Sequence, residues 1–498
     1  MKLYMLGLDI GTTGTRAMLF DKSSKEVAAA YSEFTQYFPQ DGWVEHDAME
    51  IYDTTLKMVG EAIKKAGISP KQIAGIGIAN QRETTVFWDK NTGIPVCRAI
   101  VWQDRRNLSI CERLEELDGE DLVRRTGMII LPNDSAAKIA WLLENNEEVR
   151  QGVEDERLLY GTIDTWMVWK LSGGQAHVTD HSNNSVTLLQ NARTLDYDEK
   201  LLNTLGIPRH ILPEIRTSSE VYAYTKPEEF FGESLPICGI LGDQQAAAIG
   251  QGCLKPGTAK NTYGTGSFIV MNTGERYIEP SDGIFSPVVY TMGNKVNYGL
   301  EGMADVSGAV IQWLRDGLGI INTSDEAEKL ALQAESNMGV YFIPAFVGLG
   351  APYYDSYARG TIIGLSRGAD KRHIARAALE SMAFQVRDSF EMLEKKSGTK
   401  LTRLRADGGG AKSDFMLQFQ ADILGVPVER PEITETTCLG GVYMAGLAVG
   451  YWDTVEEVCD FWRVEKSFEP SIIEEKRKEL ITMWSRAVER AGGWLKLD

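Results

Sequence analysis

The pattern of apolar and polar positions is most informative at its start. Apolar runs flank the Gly/Thr-rich centre of Leu8-Asp9-Ile10-Gly11-Thr12-Thr13-Gly14-Thr15-Arg16-Ala17-Met18-Leu19-Phe20-Asp21, which predicts two strands joined by a tight turn. Such a turn presents backbone N–H groups, hydroxyls and a guanidinium, a surface suited to phosphate oxygens, with Asp9 able to hold a divalent cation. An ordinary hairpin whose threonines favour strands reads equally well from these residues alone.

Further along, Ile51, Tyr52, Leu56, Val59 and Ile63 repeat at helical spacing, and Gly67 and Pro70 stop that helix. A buried strand over Ile73–Ala79 runs into the polar cluster Asn80-Gln81-Arg82-Glu83-Thr84-Thr85. A second, Ala99–Trp102, runs into Gln103-Asp104-Arg105-Arg106. Ligands of open α/β sheets sit at such strand ends, although salt bridges at a sheet edge give the same pattern. Helices are expected at Leu108–Leu117 and Ala136–Asn145, and a strand leading into a helix within Arg157–Leu171. The polar loop Ser182–Ser185 should precede another strand. The apolar run Ile237–Leu241 then delivers Gly242-Asp243-Gln244-Gln245 to a small-residue helix, so that Asp243 reads as a general base or as an N-cap.

The second half repeats this logic. Thr258–Tyr263, Gly264-Thr265-Gly266-Ser267 and Phe268–Met271 again read as strand, Gly/Thr turn, strand. Leu404–Asp407 leads into Gly408-Gly409-Gly410 and an amphipathic helix, and three glycines there admit a flat or anionic ligand. The chain therefore reads as two related α/β domains, residues 1–250 and 251–498, around a central cleft, with hinge material at Gly250–Gly257.

Composition narrows the classes. At 498 residues two large domains are the default, and a net charge of −18 argues against general affinity for nucleic acid or anionic membranes. Six scattered cysteines without a CxxC pair read as free thiols in a reducing compartment. No run of apolar residues is long enough for a signal core or a membrane span, so a cytoplasmic protein is expected. Two phosphate-facing hairpins, a Gly-rich turn and an aspartate at a strand tip describe a phosphotransfer cleft, with Asp243 as base and Asp9 for Mg²⁺. Neither a GxxxxGK[ST] loop nor the protein-kinase set is present.

The chain resembles the FGGY carbohydrate kinases, among them most closely the glycerol kinases, nearly end to end. The resemblance rests on Gly42-Trp43-Val44-Glu45-His46, Asn80–Thr85, Ile100-Val101-Trp102-Gln103, Gly242–Ala247, Thr262–Phe268, Gln312–Asp316 and Pro344–Tyr353. It implies two ribonuclease-H-like domains of the actin/hexokinase type and ATP with Mg²⁺ as cofactors. It implies a small polyol or sugar as substrate, no nucleic-acid or membrane partner, and a homo-oligomer, dimer or tetramer. Position by position it implies that Arg82, Glu83, Trp102, Asn133, Asp243, Gln244 and Phe268 meet the acceptor, with Asp243 catalytic. It assigns Thr12, Thr13, Arg16, Thr265, Gly266, Gly308, Gln312, Gly409 and Ser413 to ATP and its phosphates, and Asp9 to the metal. The departures bear on specificity. Glycerol kinases carry Pro-Tyr-Phe-Ser where this chain has Pro132-Asn133-Asp134-Ser135, which implies a roomier, more polar pocket. Asp104 adds a carboxylate near the substrate strands or serves as partner to Arg105 or Arg106. The expected reaction is ATP-dependent phosphorylation of glycerol. The alternatives are a longer polyol or ketose as acceptor and a non-kinase ATPase of the same superfamily.

Overall fold

The computed structural model describes residues 2–281, 283–433 and 435–496; Met1, Leu497 and Asp498, at the outer ends of the two expected domains, lie outside them. Strands β1 (Tyr4–Ile10), β2 (Gly14–Asp21) and β3 (Glu26–Glu33) form an antiparallel meander. Strand β4 (Ile73–Asn80) adds parallel to β1. Beyond β5 (Ser219–Tyr224), the chain returns as β6 (Pro236–Gly242), parallel to β4 and antiparallel to β5. The sheet order is β5-β6-β4-β1-β2-β3.

The second sheet is built from β7 (Thr258–Tyr263), β8 (Ser267–Gly274), β9 (Val288–Met292), β10 (Lys295–Ala304), β11 (Arg403–Asp407), β12 (Val428–Pro431) and β13 (Val464–Phe468). Its order is β9-β10-β8-β7-β11-β12-β13. Read from β10 to β13, the pairings run antiparallel, antiparallel, parallel, parallel, antiparallel. The first sheet read from β3 to β5 gives the same series, and β9 is an addition to the second. The repeated turn chemistry of the sequence is a repeated sheet.

Parallel neighbours need crossovers. Helix α1 (Ala48–Ala66) joins β3 to β4, capped by Asp47 and ended by Gly67 at φ 64°. It buries Ile51, Tyr52, Met58, Val59 and Ile63, and each fully buried side chain of this kind contributes about 1.5–3 kcal/mol. Helices α2 (Asp243–Gly250) and α3 (Gly308–Asp316) follow β6 and β10. Helix α4 (Lys371–Ser397) leads to β11, and α5 (Asp414–Leu424) crosses from β11 to β12. Helix α6 (Thr436–Ala448) then lies against the first sheet and α2. Glycines permit that approach: a Cβ on Gly77 would overlap the Gly441 carbonyl, and one on Gly440 the Ala246 carbonyl.

Three expectations change. Only Ala99–Ile100 is strand, and it pairs with Glu45–His46 outside the main sheets, because the chain turns at Val101–Asp104 to bury the Asp104 carboxylate. Ser182–Ser185 is not a loop before a strand; His181–Asn184 is a short helix capped by Asp180, and the residues after it run irregularly. The helix expected to end at Leu117 runs from Leu108 to Thr126 through a kink at Gly119. Residues between β4 and β5 carry their own core, including Phe87, Leu114, Ile139 and Tyr160, which supports one wall of the cleft. Among the described residues no helix is long and apolar enough to cross a membrane, and the six cysteines are free.

Candidate active site

All seven expected acceptor residues line one cavity of about 250 Å³: Arg82, Glu83, Trp102, Asn133, Asp243, Gln244 and Phe268. Strand β4 delivers the first two. Glu83 is held at φ 65°, an uncommon conformation for a non-glycine residue, and its carbonyl accepts bonds from Ser135 Oγ (2.9 Å) and Lys138 Nζ (3.3 Å) that keep it there. Burial pushes the Glu83 carboxyl up to about 7, opposed by Arg82 and Lys138 and reinforced by Glu301 and Asp243.

Asp243 is the first residue of α2, with Gly242 at the N-cap, so the N-cap alternative does not hold. Its Oδ1 accepts the Gln244 N–H at 2.7 Å and faces Arg82 Nε at 3.2 Å, which leaves Oδ2 without a donor among the described residues. Burial raises the Asp243 pKa, against the pull of Arg82 and Lys260. A Cβ on Gly242 would lie 2.7 Å from Arg82 Cδ, so glycine there lets the arginine pass beside the helix start.

Two residues that the sequence reading missed complete this site. Glu301 of β10 accepts from both Nη1 and Nη2 of Arg82, each at 2.7 Å. Lys260 of β7 is fully buried and donates to Gln244 Oε1, to Thr262 Oγ1 (3.1 Å) and to the Phe268 carbonyl (3.2 Å). For Glu301 the readable signal was a lone charge in the apolar run Leu300-Glu301-Gly302-Met303-Ala304; Lys260, in the polar strand Thr258–Tyr263, carried none.

The departures from the family pattern are also resolved. Asn133 Oδ1 faces the exposed Arg105 guanidinium at 3.3 Å. Asp134 is buried, accepts the Leu131 N–H at 2.8 Å and is raised well above the usual carboxylate range by that burial. Asp104 is the partner of Arg106 rather than Arg105: it takes Arg106 Nε at 2.9 Å, Arg106 Nη2 at 2.8 Å and the Val44 N–H at 2.7 Å.

A second cavity, of about 370 Å³, is lined by Thr265, Gly308, Gln312, Gly409 and Ser413. Gly308 N–H donates to the Gly264 carbonyl (2.8 Å), which pins the start of α3 to the β7–β8 turn. Of the three consecutive glycines, Gly408 (φ 84°) and Gly410 are packed on Tyr263, whereas a Cβ on Gly409 would meet nothing within 4 Å. Ser413 is the N-cap of α5.

Four expected nucleotide residues are not among the cavity-lining residues. A Cβ on Gly266 would sit 2.8 Å from the Ala304 carbonyl, so this glycine serves packing. Thr12 Oγ1 accepts the Trp102 indole N–H at 2.9 Å and ties the first turn to the acceptor wall. Arg16 is paired with Glu435 and lies 5.3 Å from the Tyr31 ring. Thr13 is exposed at the turn. Asp9 sits beside it with no side-chain hydrogen bond or ion pair among the described residues, and burial pushes its carboxyl up to about 7. No group of three or more His, Cys, Asp or Glu able to hold a metal occurs among the described residues.

Comparison with known proteins gives the family. The family model of the FGGY carbohydrate kinases matches with its N-terminal domain over residues 4–250 and its C-terminal domain over residues 259–449. The chain is 51% identical over 494 residues to glycerol kinase 2 of Thermotoga maritima, covering 99% of each chain. It is 52% identical over 492 residues to glycerol kinase of Bacillus subtilis, again covering 99% of each. A crystal structure of Plasmodium falciparum glycerol kinase with ADP superposes with a TM-score of 0.94 at 35% identity, covering 98% of both chains. The duplicated sheet, the two cavities and these matches identify the chain as a member of the FGGY family of carbohydrate kinases, ATP-dependent phosphotransferases with an alcohol group as acceptor.

Proposed function

We propose that the chain transfers the γ-phosphoryl group of ATP to a hydroxyl of a small polyol, with glycerol the leading acceptor and glycerol 3-phosphate the product. The observation that carries this reading is one cavity that unites the Asp243 carboxylate, the Arg82–Glu83 pair and the apolar faces of Trp102 and Phe268. A short polyhydroxylated chain fits such a lining, with hydroxyls to the charged side and carbons to the rings. The acceptor hydroxyl gives its proton to Asp243 Oδ2, its oxygen bonds to the γ-phosphorus, and the β,γ-bridging oxygen leaves on ADP. Thr265, Gly308, Gln312, Gly409 and Ser413 hold the nucleotide, and Thr12, Thr13, Arg16 and Gly266 shape the turns facing its phosphates. For Arg16 this role needs exchange of its Glu435 partner for phosphate.

The residues at Asp9 fit Mg²⁺: a hard carboxylate without a hydrogen-bond or ion-pair partner among the described residues suits an ion whose remaining ligands are phosphate oxygens and water. An ion held there would screen the negative charge of the phosphates. The Arg105–Asn133 contact on the cavity wall favours a second reading, in which an acceptor of four or five carbons places an extra hydroxyl there. ATP use and six free thiols suit a cytoplasmic enzyme, and the assembly expected is a dimer or tetramer, to be read by light scattering. ADP release measured over glycerol, tetritols, pentitols and ketopentoses tests the acceptor. Glycerol turned over no better than the C4 and C5 compounds would overturn its assignment.

A further inference from the structure

Two buried charges of the second sheet reach across the cleft to residues of the first. The Glu301 side chain is 4% exposed, and Arg82 is its ion-pair partner among the described residues. Lys260, fully buried, touches Gln244 at the start of α2. We propose that Glu301 and Lys260 are positioning residues that complete the acceptor site from the opposite domain, fixing Arg82 and Gln244 in the orientation that the acceptor needs. This rests on reading the cavity as the acceptor site.

The hydrogen-bond count supports it. A guanidinium has five N–H donors. Arg82 Nε faces Asp243; Nη1 gives its two to Glu301 Oε2 and, at 3.3 Å, to Gln245 Oε1; Nη2 gives one to Glu301 Oε1. Among the described residues one Nη2 hydrogen is left without an acceptor, in a fixed plane on the cavity wall, as the donor for a bound hydroxyl. At Gln244 an ammonium can only meet the carbonyl oxygen, so Lys260 takes Oε1 and leaves the Nε2 amide as the free donor. The acceptor therefore meets two prepared donors and the carboxylates of Glu83 and Asp243, and both donors are aimed by charges from the other domain. Parting the domains would leave Arg82 with Asp243 but take from Glu301 its ion-pair partner among the described residues. Acceptor binding and domain approach thus favour each other.

The test uses Glu301→Gln, Glu301→Asp and Lys260→Met with whichever acceptor the unmodified chain turns over best, so an error in naming glycerol does not touch it. Glu301→Gln and Lys260→Met should each raise KM for the acceptor about tenfold or more while KM for ATP stays within about twofold. Glu301→Asp, a carboxylate one methylene short, should recover part of the loss. Calorimetric ADP binding should match the unmodified chain. An acceptor KM within about twofold in both neutral variants, or an ATP KM rising in step with it, overturns the proposal. If a neutral variant fails to fold, Glu301→Asp carries the same comparison, and an unchanged acceptor KM there overturns it.

Discussion

Asp243→Asn keeps the shape of the side chain and removes its capacity to take a proton. Its amide oxygen can still accept the Gln244 N–H and meet Arg82 Nε, the contacts that Oδ1 makes at 2.7 and 3.2 Å. Arg82 keeps both bonds to Glu301, so no buried cation is orphaned. The lost function is proton acceptance at Oδ2, and a positioned general base contributes about 10²–10⁴ in rate. At about 1.36 kcal/mol per decade that is about 2.7–5.4 kcal/mol of transition-state stabilisation. Stability should move the other way. A carboxyl whose folded pKa is raised by burial loses stability as pH rises past its unfolded value, so near neutral pH the native aspartate carries a cost that the amide does not. The melting temperature at neutral pH should equal or exceed that of the unmodified chain. Nucleotide affinity should be unchanged, because Thr265, Gly308, Gln312 and Gly409 belong to the other sheet and its helices. The assay pairs acceptor-dependent ADP release with calorimetric ADP binding. A kcat within about threefold of the unmodified chain would remove Asp243 from the base role.

Three further expectations are independent of that one. Asn133→Tyr should narrow the wall beside Arg105 and lower kcat/KM for C4 and C5 acceptors about tenfold relative to glycerol; an unchanged ratio refutes the wall's part in selection. If ionised Glu83 binds the acceptor, kcat/KM should fall about tenfold per unit as pH drops below its raised pKa of about 7, and a flat profile down to about pH 5.5 would contradict it. Asp104→Ala removes a buried carboxylate that takes the Val44 N–H and two Arg106 donors, and should cost about 3–5 kcal/mol in denaturant unfolding; a loss under about 1 kcal/mol would mean that Glu45 and the Trp43 ring suffice for Arg106.

The duplicated fold was legible because its signals are local. Apolar strands, Gly/Thr turns and helix caps are written within a dozen residues of one another, and both hairpins and the helix after Asp243 stand where those signals put them. The Ala99–Trp102 strand was not legible, since an apolar run cannot say whether its neighbour is a central sheet or the two residues Glu45–His46. At the site, polar residues at strand ends announced themselves, and Arg82, Glu83, Asp243 and Gln244 share a cavity with Trp102, Asn133 and Phe268, which only the family resemblance supplied. Glu301 and Lys260 escaped because their meaning depends on a partner 219 and 16 residues away in sequence, joined only when two domains face each other. The glycine run misled in detail for the same reason: two of its members answer to Tyr263, which no local pattern reveals.

The crossing of α6 over α2 and β4 has a mechanical meaning. Most helix contacts interlock side chains as ridges in grooves, and sliding them requires rotamers to exchange. Here Gly77, Gly250, Gly440 and Gly441 bring peptide planes against peptide planes, beside the interlocked side chains of Cys438, Leu439, Val442 and Tyr443. Such a joint resists sliding, because turning one sheet over the other would have to repack those side chains. The cleft adds to that resistance at its far end, through the Arg82–Glu301 pair and the Lys260–Gln244 contact. The residues that aim the acceptor's donors thereby also tie the two sheets together across the cleft, at the end opposite the joint.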